Sequence, residues 1–212
     1  AKGAVSDFLQ ASDVLALGPG LSRNAESAAL ARQIVPFAGK PTVLDADGLN
    51  AFVGHVNLFA RAGGHLIITP HVVEMSRLSG ETPAAIAADR VSTAKRFAAQ
   101  LGIVVLLKGA PTVIAQPEGP TYVNPTGNEG LASGGSGDVL TGIIAALLGQ
   151  GLPVVQAAAL GAYLHGLAAD LARETVGEEG MIASDLIDCL PAAIMHAKKG
   201  EPAGFIETLR GV

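Results

Sequence analysis

Four short apolar runs, each stopped by a cluster of glycine, proline or aspartate, constrain the fold of this chain more than any other feature. Val14–Leu17 ends at Gly18-Pro19-Gly20, and Thr42–Leu44 at Asp45-Ala46-Asp47-Gly48. Leu66–Ile68 ends at Thr69-Pro70-His71, and Ile103–Leu107 at Lys108-Gly109. Runs this short without polar alternation belong to strands buried on both faces. Helical stretches between them, the first opening at Ser22 and running through Ala38, imply βαβ units and a mostly parallel central sheet flanked by helices. After Lys108 the pattern changes. Thr112–Ala115 and Thr121–Val123, with Gln116-Pro117-Glu118-Gly119-Pro120 between them, predict an antiparallel hairpin. Asp138–Leu148, Val154–Glu174 and Ser184–Lys198 predict a helical final third. No repeat or linker interrupts residues 1–212, which read as one α/β domain.

Composition narrows the function classes. With 49% apolar and 16% charged residues, a large core is expected. A net charge of −5 argues against nucleic-acid binding, so an anionic ligand must be held by local geometry. One cysteine, Cys189, excludes an internal disulfide and fits a reducing cytoplasm. Pro153–Ala172 is the most apolar long segment, but Gln156, His165 and Asp170 mark it as a buried helix, not a membrane span. The opening residues AKGAVSDFLQ carry no signal-peptide pattern and no first strand, so the chain reads as starting in the middle of a fold.

The strongest chemical signal is the stretch from Asn124 to Asp138, NPTGNEGLASGGSGD, followed at once by an apolar helix. Gly134, Gly135 and Gly137 let backbone N–H groups turn inward, and the helix behind adds free N–H groups and a positive dipole end. That is a phosphoryl nest without a lysine, and it does not match the Walker pattern. Asp138 is then a helix cap, a general base or an acceptor for a substrate hydroxyl. Gly18-Pro19-Gly20, taken alone, is a plain strand-to-helix turn. Asp45 and Asp47 either ligate Mg²⁺ or cap a helix from Gly48. His71 is held in a loop at the binding edge, and Glu74 lies one turn later. Lys108 needs a partner for its ammonium, and an anionic ligand is one. His165, within an alanine-rich helix, reads as a satisfied core histidine.

Together the segments ALGPGLS (16–22), VLDADGLN (43–50), ITPHVVEM (68–75), LLKGAPTVI (106–114), TGNEGLASGGSGDVLTGIIAALL (126–148) and AAALGAYLHGLAADLA (157–172) resemble the ADP- or ATP-dependent (S)-NAD(P)H-hydrate dehydratases, a ribokinase-like family. The resemblance implies a nucleotide- and Mg²⁺-dependent hydro-lyase that repairs NADHX and NADPHX, the hydrated cofactors, to NADH and NADPH. It implies Asp138 as the base, and Gly134, Gly135, Ser136 and Gly137 as an anion hole. Lys108, Gly109, Ala110, Pro111 and Thr112 would line the nucleotide site with Gly137, and Gly20, His71, Asn128 and Asp138 the hydrate site. It further implies ADP in preference to ATP, a homo-oligomer, and a functional link to an NAD(P)HX epimerase. One departure stands out: the family normally carries an additional βαβ segment upstream, so the N-terminus reads as incomplete. A small-molecule kinase of the same superfamily, acting on a vitamin or thiazole alcohol, is the alternative, and a non-catalytic nucleotide-binding module is the other.

Overall fold

The computed structural model describes residues 2–200. In chain order the elements are α1 (Lys2–Ala11), β1 (Leu15–Leu17), α2 (Ala25–Ile34), β2 (Thr42–Leu44), α3 (Ala46–Asn50), β3 (Leu66–Ile68), α4 (Val72–Ser79), α5 (Pro83–Ala88), α6 (Arg90–Leu101), β4 (Val104–Leu107), β5 (Thr112–Ala115), β6 (Tyr122–Asn124), α7 (Ser136–Gly149), α8 (Val154–Val176) and α9 (Ala183–Lys199). The strands form one sheet in sequential order. β1 to β4 are parallel, while β5 is antiparallel to both β4 and β6. The expected parallel sheet and the hairpin after Lys108 are both present.

Alternation along the strands splits the core in two. Leu44, Leu66, Ile68, Val105 and Leu107 pack with Phe52, Phe59, Met75 and Phe97 on one face. Val43, Ile67, Val104, Leu106 and Ile114 pack with α7, α8 and α9 on the other. β2, β3 and β4 therefore read apolar because consecutive side chains enter opposite cores. α8 is long and apolar enough to cross a membrane by composition, but 56% of that apolar stretch is buried inside the fold. Ala157, Ala158, Ala162 and Ala168 let it lie close to the sheet and to α7.

Several boundaries differ from expectation. The first crossover helix begins at Ala25, not Ser22, because the glycine turn continues through Ser22, at φ 71°, and Asn24 caps the helix with its side chain. The third helix starts at Ala46, two residues before Gly48. α1 had no signal in the sequence.

Candidate active site

Parallel pairing brings the ends of β1, β2, β3 and β4 to one edge, where open α/β sheets bind ligands. Past the strands, Asp45 N–H still donates to Leu17 O, Thr69 N–H to Leu44 O and Lys108 N–H to Pro70 O, so the first loop residues are as fixed as the strands. Gly18, at φ 134°, lies against the Asp45 carbonyl where a Cβ would overlap it, so only glycine fits this close approach.

Beneath that edge is a buried charge cluster. Asp45 is 1% exposed. One carboxylate oxygen accepts from Lys108 Nζ at 2.8 Å and the other from Thr141 Oγ1 at 3.1 Å. The cluster ties β2, β4 and α7 together. It supplies the partner that the Lys108 ammonium needs from within the protein, and it corrects one expectation, since the Asp45 side chain does not cap its helix. Asp47 is also engaged, by Arg23 Nε at 3.2 Å and Asn50 Nδ2 at 3.3 Å. Among the described residues no three His, Cys, Asp or Glu side chains converge as metal ligands. With both Asp45 oxygens held by Lys108 and Thr141, and one Asp47 oxygen by Arg23 and Asn50, the two carboxylates do not form a Mg²⁺ site by themselves.

The glycine loop rises directly above this cluster. Asn128 starts a short 3-10 turn by accepting from Gly130 N–H at 3.1 Å, and its amide donates to Asp170 at 3.1 Å. Gly127 N–H reaches the same carboxylate at 2.9 Å. The Asn128 carbonyl thus shapes the loop, while its amide nitrogen staples the loop to α8. Gly135, at φ 88°, occupies the position before α7 without a side-chain cap. Ser136 turns its hydroxyl inward to Leu131 O at 2.6 Å, so only its backbone can serve an anion hole. The N–H groups of Gly134, Gly135 and Gly137 have no acceptor among the described residues. Uncapped N–H groups at a helix start favour an anion. Asp138, in the first turn, is exposed, and its carboxylate has no partner among the described residues.

Gly137 joins the two levels. A Cβ there would sit 3.3 Å from Lys108 Nζ and 3.4 Å from Asp45 Oδ2, so the ammonium lies just under the nest. Gly137→Val should crowd both the ion pair and the mouth. The expected result is at least a tenfold loss of phosphate-dependent affinity, with about 1–3 kcal/mol of destabilisation. Nucleotide titration and denaturant unfolding check the two parts separately.

His165 approaches the same loop from α8. It is 7% exposed, and its Nε2 lies 2.9 Å from Ser136 O. A carbonyl only accepts, so Nε2 carries the proton. Burial, reinforced by the Lys108 charge, pushes the imidazole pKa down to about 4 from 6.5. Between those values the unfolded chain binds more protons than the folded one, so stability falls as pH drops from 6.5 toward 4. The loss attributable to His165 is about 3 kcal/mol. Unfolding of wild type and His165→Gln across this window checks it: the wild-type advantage should shrink on acidification. A pH-independent difference would remove His165 from the acid response.

The remaining expected residues line the rim. His71 caps α4, its Nδ1 accepting from Val73 and Glu74 N–H at 3.1 and 3.3 Å. Glu74, 7% exposed, returns a bond to His71 N–H at 2.9 Å, closing a capping box instead of reaching the site. The His71 side chain remains 50% exposed, with Nε2 3.5 Å from a Glu74 carboxylate oxygen. Gly20, at φ 70°, has open space around it. From Lys108 the chain turns through Gly109 and a cis Ala110–Pro111 peptide to Thr112, whose hydroxyl donates to Gly109 O at 3.0 Å. Arg90, from α6, hydrogen-bonds Ala110 O and covers Gly109. Sequence reasoning missed Arg90, Thr141 and Asp170. Only Thr141 left a trace, a hydroxyl one turn beyond Asp138 in an apolar run.

A largely parallel sheet with a glycine nest, a helix behind it and a free aspartate in that helix's first turn defines the ribokinase-like class of α/β proteins. The family profile described as NAD(P)H-hydrate dehydratase matches residues 2–192, and the chain belongs to that family. It is 50% identical over 187 residues to the bifunctional NAD(P)H-hydrate repair enzyme Nnr of Moorella thermoacetica, covering 88% of this chain and 35% of that protein. It is 44% identical over 176 residues to the ADP-dependent (S)-NAD(P)H-hydrate dehydratase of Neisseria meningitidis, covering 82% and 59%. Among solved structures it is similar to the ADP/ATP-dependent NAD(P)H-hydrate dehydratase of Bacillus subtilis co-crystallised with ATP/Mg²⁺. There the TM-score is 0.75 and the identity 38%, over 87% of this chain and 64% of that one. The chain thus spans about a third of the length of the bifunctional relative.

Proposed function

We propose that this chain carries the dehydratase site of an NAD(P)H-hydrate repair enzyme, with ADP as phosphoryl donor. The observation that carries the reading is the row of unclaimed Gly134, Gly135 and Gly137 N–H groups beside the unpartnered Asp138 carboxylate. An anion nest next to a free base is what phosphoryl transfer to a hydroxyl needs.

In this reading Asp138 accepts the proton of the C6 hydroxyl as the oxygen attacks the terminal phosphorus of ADP. The P–O bond to AMP breaks, and the three glycine N–H groups hold the charge on the moving phosphoryl group. Hydroxide is a poor leaving group; phosphate is a good one. The ring nitrogen lone pair expels it by C6–O cleavage, and transfer of a C5 proton to solvent restores the dihydronicotinamide. The turn from Lys108 to Thr112 takes the nucleotide, with Arg90 holding that turn closed. Gly20 and His71 take the hydrate across the edge. Mg²⁺ belongs to this reading only with the nucleotide, on whose phosphates it would neutralise charge. The names of the Neisseria and Bacillus relatives support the nucleotide dependence, and the bifunctional name of the Moorella relative supports the link to an epimerase. A single domain over residues 1–212, a cytoplasmic location and homo-oligomeric assembly complete the proposal.

The test is recovery of dihydronicotinamide absorbance from hydrated NADH, and from hydrated NADPH, with Mg²⁺ and either ADP or ATP. Nucleotide-dependent recovery, faster with ADP, is the expected result. A stable phosphorylated product from an alcohol substrate, without recovery, would replace the dehydratase by a vitamin or thiazole kinase.

A further inference from the structure

The peptide group between Ser136 and Gly137 opens α7, so its carbonyl belongs to the helix ladder as well as to the contact with His165. Its carbonyl accepts from His165 Nε2 at 2.9 Å, inside the core. Its N–H, on Gly137, has no acceptor among the described residues. A trans peptide is planar, so its C=O and N–H point in opposite directions. Whatever holds the carbonyl inward therefore aims the N–H outward, into the nest.

We propose that His165 is a positioning residue of the phosphoryl nest: from α8 it pins the first peptide of α7 so that the Gly137 N–H stays pointed at the anion. This rests on the functional reading above. Three features argue for more than core filling. His165 is 7% exposed, and a buried polar ring carries a cost that an apolar side chain would not. Its bond goes to the first turn of α7, whose N-cap residue, Gly135, supplies no side-chain bond. Burial first, and the nearby Lys108 charge second, keep the ring neutral, so it supplies a single directed N–H and no charge. A neutral donor holds the loop without competing with the incoming phosphate for the N–H groups. Gly166, next in the helix, packs against the Thr126 backbone, so α8 grips the glycine loop at its beginning as well as its end.

The experiment compares wild type, His165→Leu and His165→Gln in the full chain. Leucine fills the space without the bond; the glutamine amide reaches the same carbonyl. Hydrogen exchange of residues 131–140 without ligand reports the pinning directly. Titrations with ADP and with adenosine separate phosphate from base and sugar, and turnover gives kcat and KM. For His165→Leu the expected result is faster exchange in this segment, about tenfold weaker ADP binding with adenosine unchanged, and about tenfold lower kcat. His165→Gln should stay within about threefold of wild type on every measure. Wild-type exchange and ADP affinity in His165→Leu, or equal impairment in both variants, would overturn the proposal. If leucine prevents folding, His165→Met takes its place under the same criteria. Wild-type protein that bound neither ADP nor adenosine would defeat the functional reading instead, and the exchange comparison would still decide whether His165 pins the loop.

Discussion

Asp138→Asn is expected to lower dehydration of NAD(P)H hydrate by about a thousandfold while leaving the fold and the nucleotide site in place. The physical reason is the isolation of this carboxylate. Exposed and unpartnered among the described residues, it supports no hydrogen bond whose loss would loosen the loop. The chemical loss is that of a general base, about 10²–10⁴ in rate. The stability loss is only that of an acid at a helix start, about 0.3–1 kcal/mol. ADP affinity should stay level or rise, because a negative charge beside the nest repels the incoming phosphate. Steady-state turnover alongside ADP titration separates these effects. A mutant with wild-type turnover would remove Asp138 from the reaction, and one that lost ADP binding in parallel would make it a nucleotide ligand.

The second large effect is on stability. Asp45→Ala should destabilise the protein by about 3–5 kcal/mol, because it strands the Lys108 ammonium at the base of the nest and leaves Thr141 unpaired. The Lys108 side chain is only 22% exposed, so water relieves little of this. Replacing both members with apolar residues, Asp45→Leu with Lys108→Met, should recover part of the loss, since the pair's attraction and its desolvation cost nearly cancel. Denaturant midpoints of the two single variants and the double variant measure the coupling. Strictly additive values would show that Asp45 and Lys108 act independently. The double variant should still lose nucleotide turnover, because the positive charge under Gly137 goes with the pair.

Much of the fold was legible. Thr42–Leu44 and Leu66–Ile68 are strands to the residue, since an apolar run closed by aspartate or proline has sharp ends. α8 and α9 lie within two residues of their expected limits at each end. The misses share a cause. Ser22 resembles a helix cap in sequence, but the turn after Gly20 carries it into left-handed backbone, and the cap passes to Asn24. In the same way, Glu74 can be read toward the site in sequence, yet its carboxylate accepts from His71 N–H and closes the cap of α4.

For the site, sequence alone determined the parts whose chemistry is local. A glycine run before an apolar helix exposes N–H groups wherever it folds, and an aspartate one residue on stands beside them. The family pattern in residues 126–148 follows from that local requirement. Tertiary structure decided everything that depends on who meets whom across the sheet. Lys108 is 63 residues from Asp45, and Thr141 is 96. No local rule reveals that these three close one charge cluster, or that His165, 29 residues from Ser136, holds the nest from behind. Whether a buried polar group is a ligand contact or a structural tie depends on its partner, and the packing of β2, β4, α7 and α8 supplies that partner.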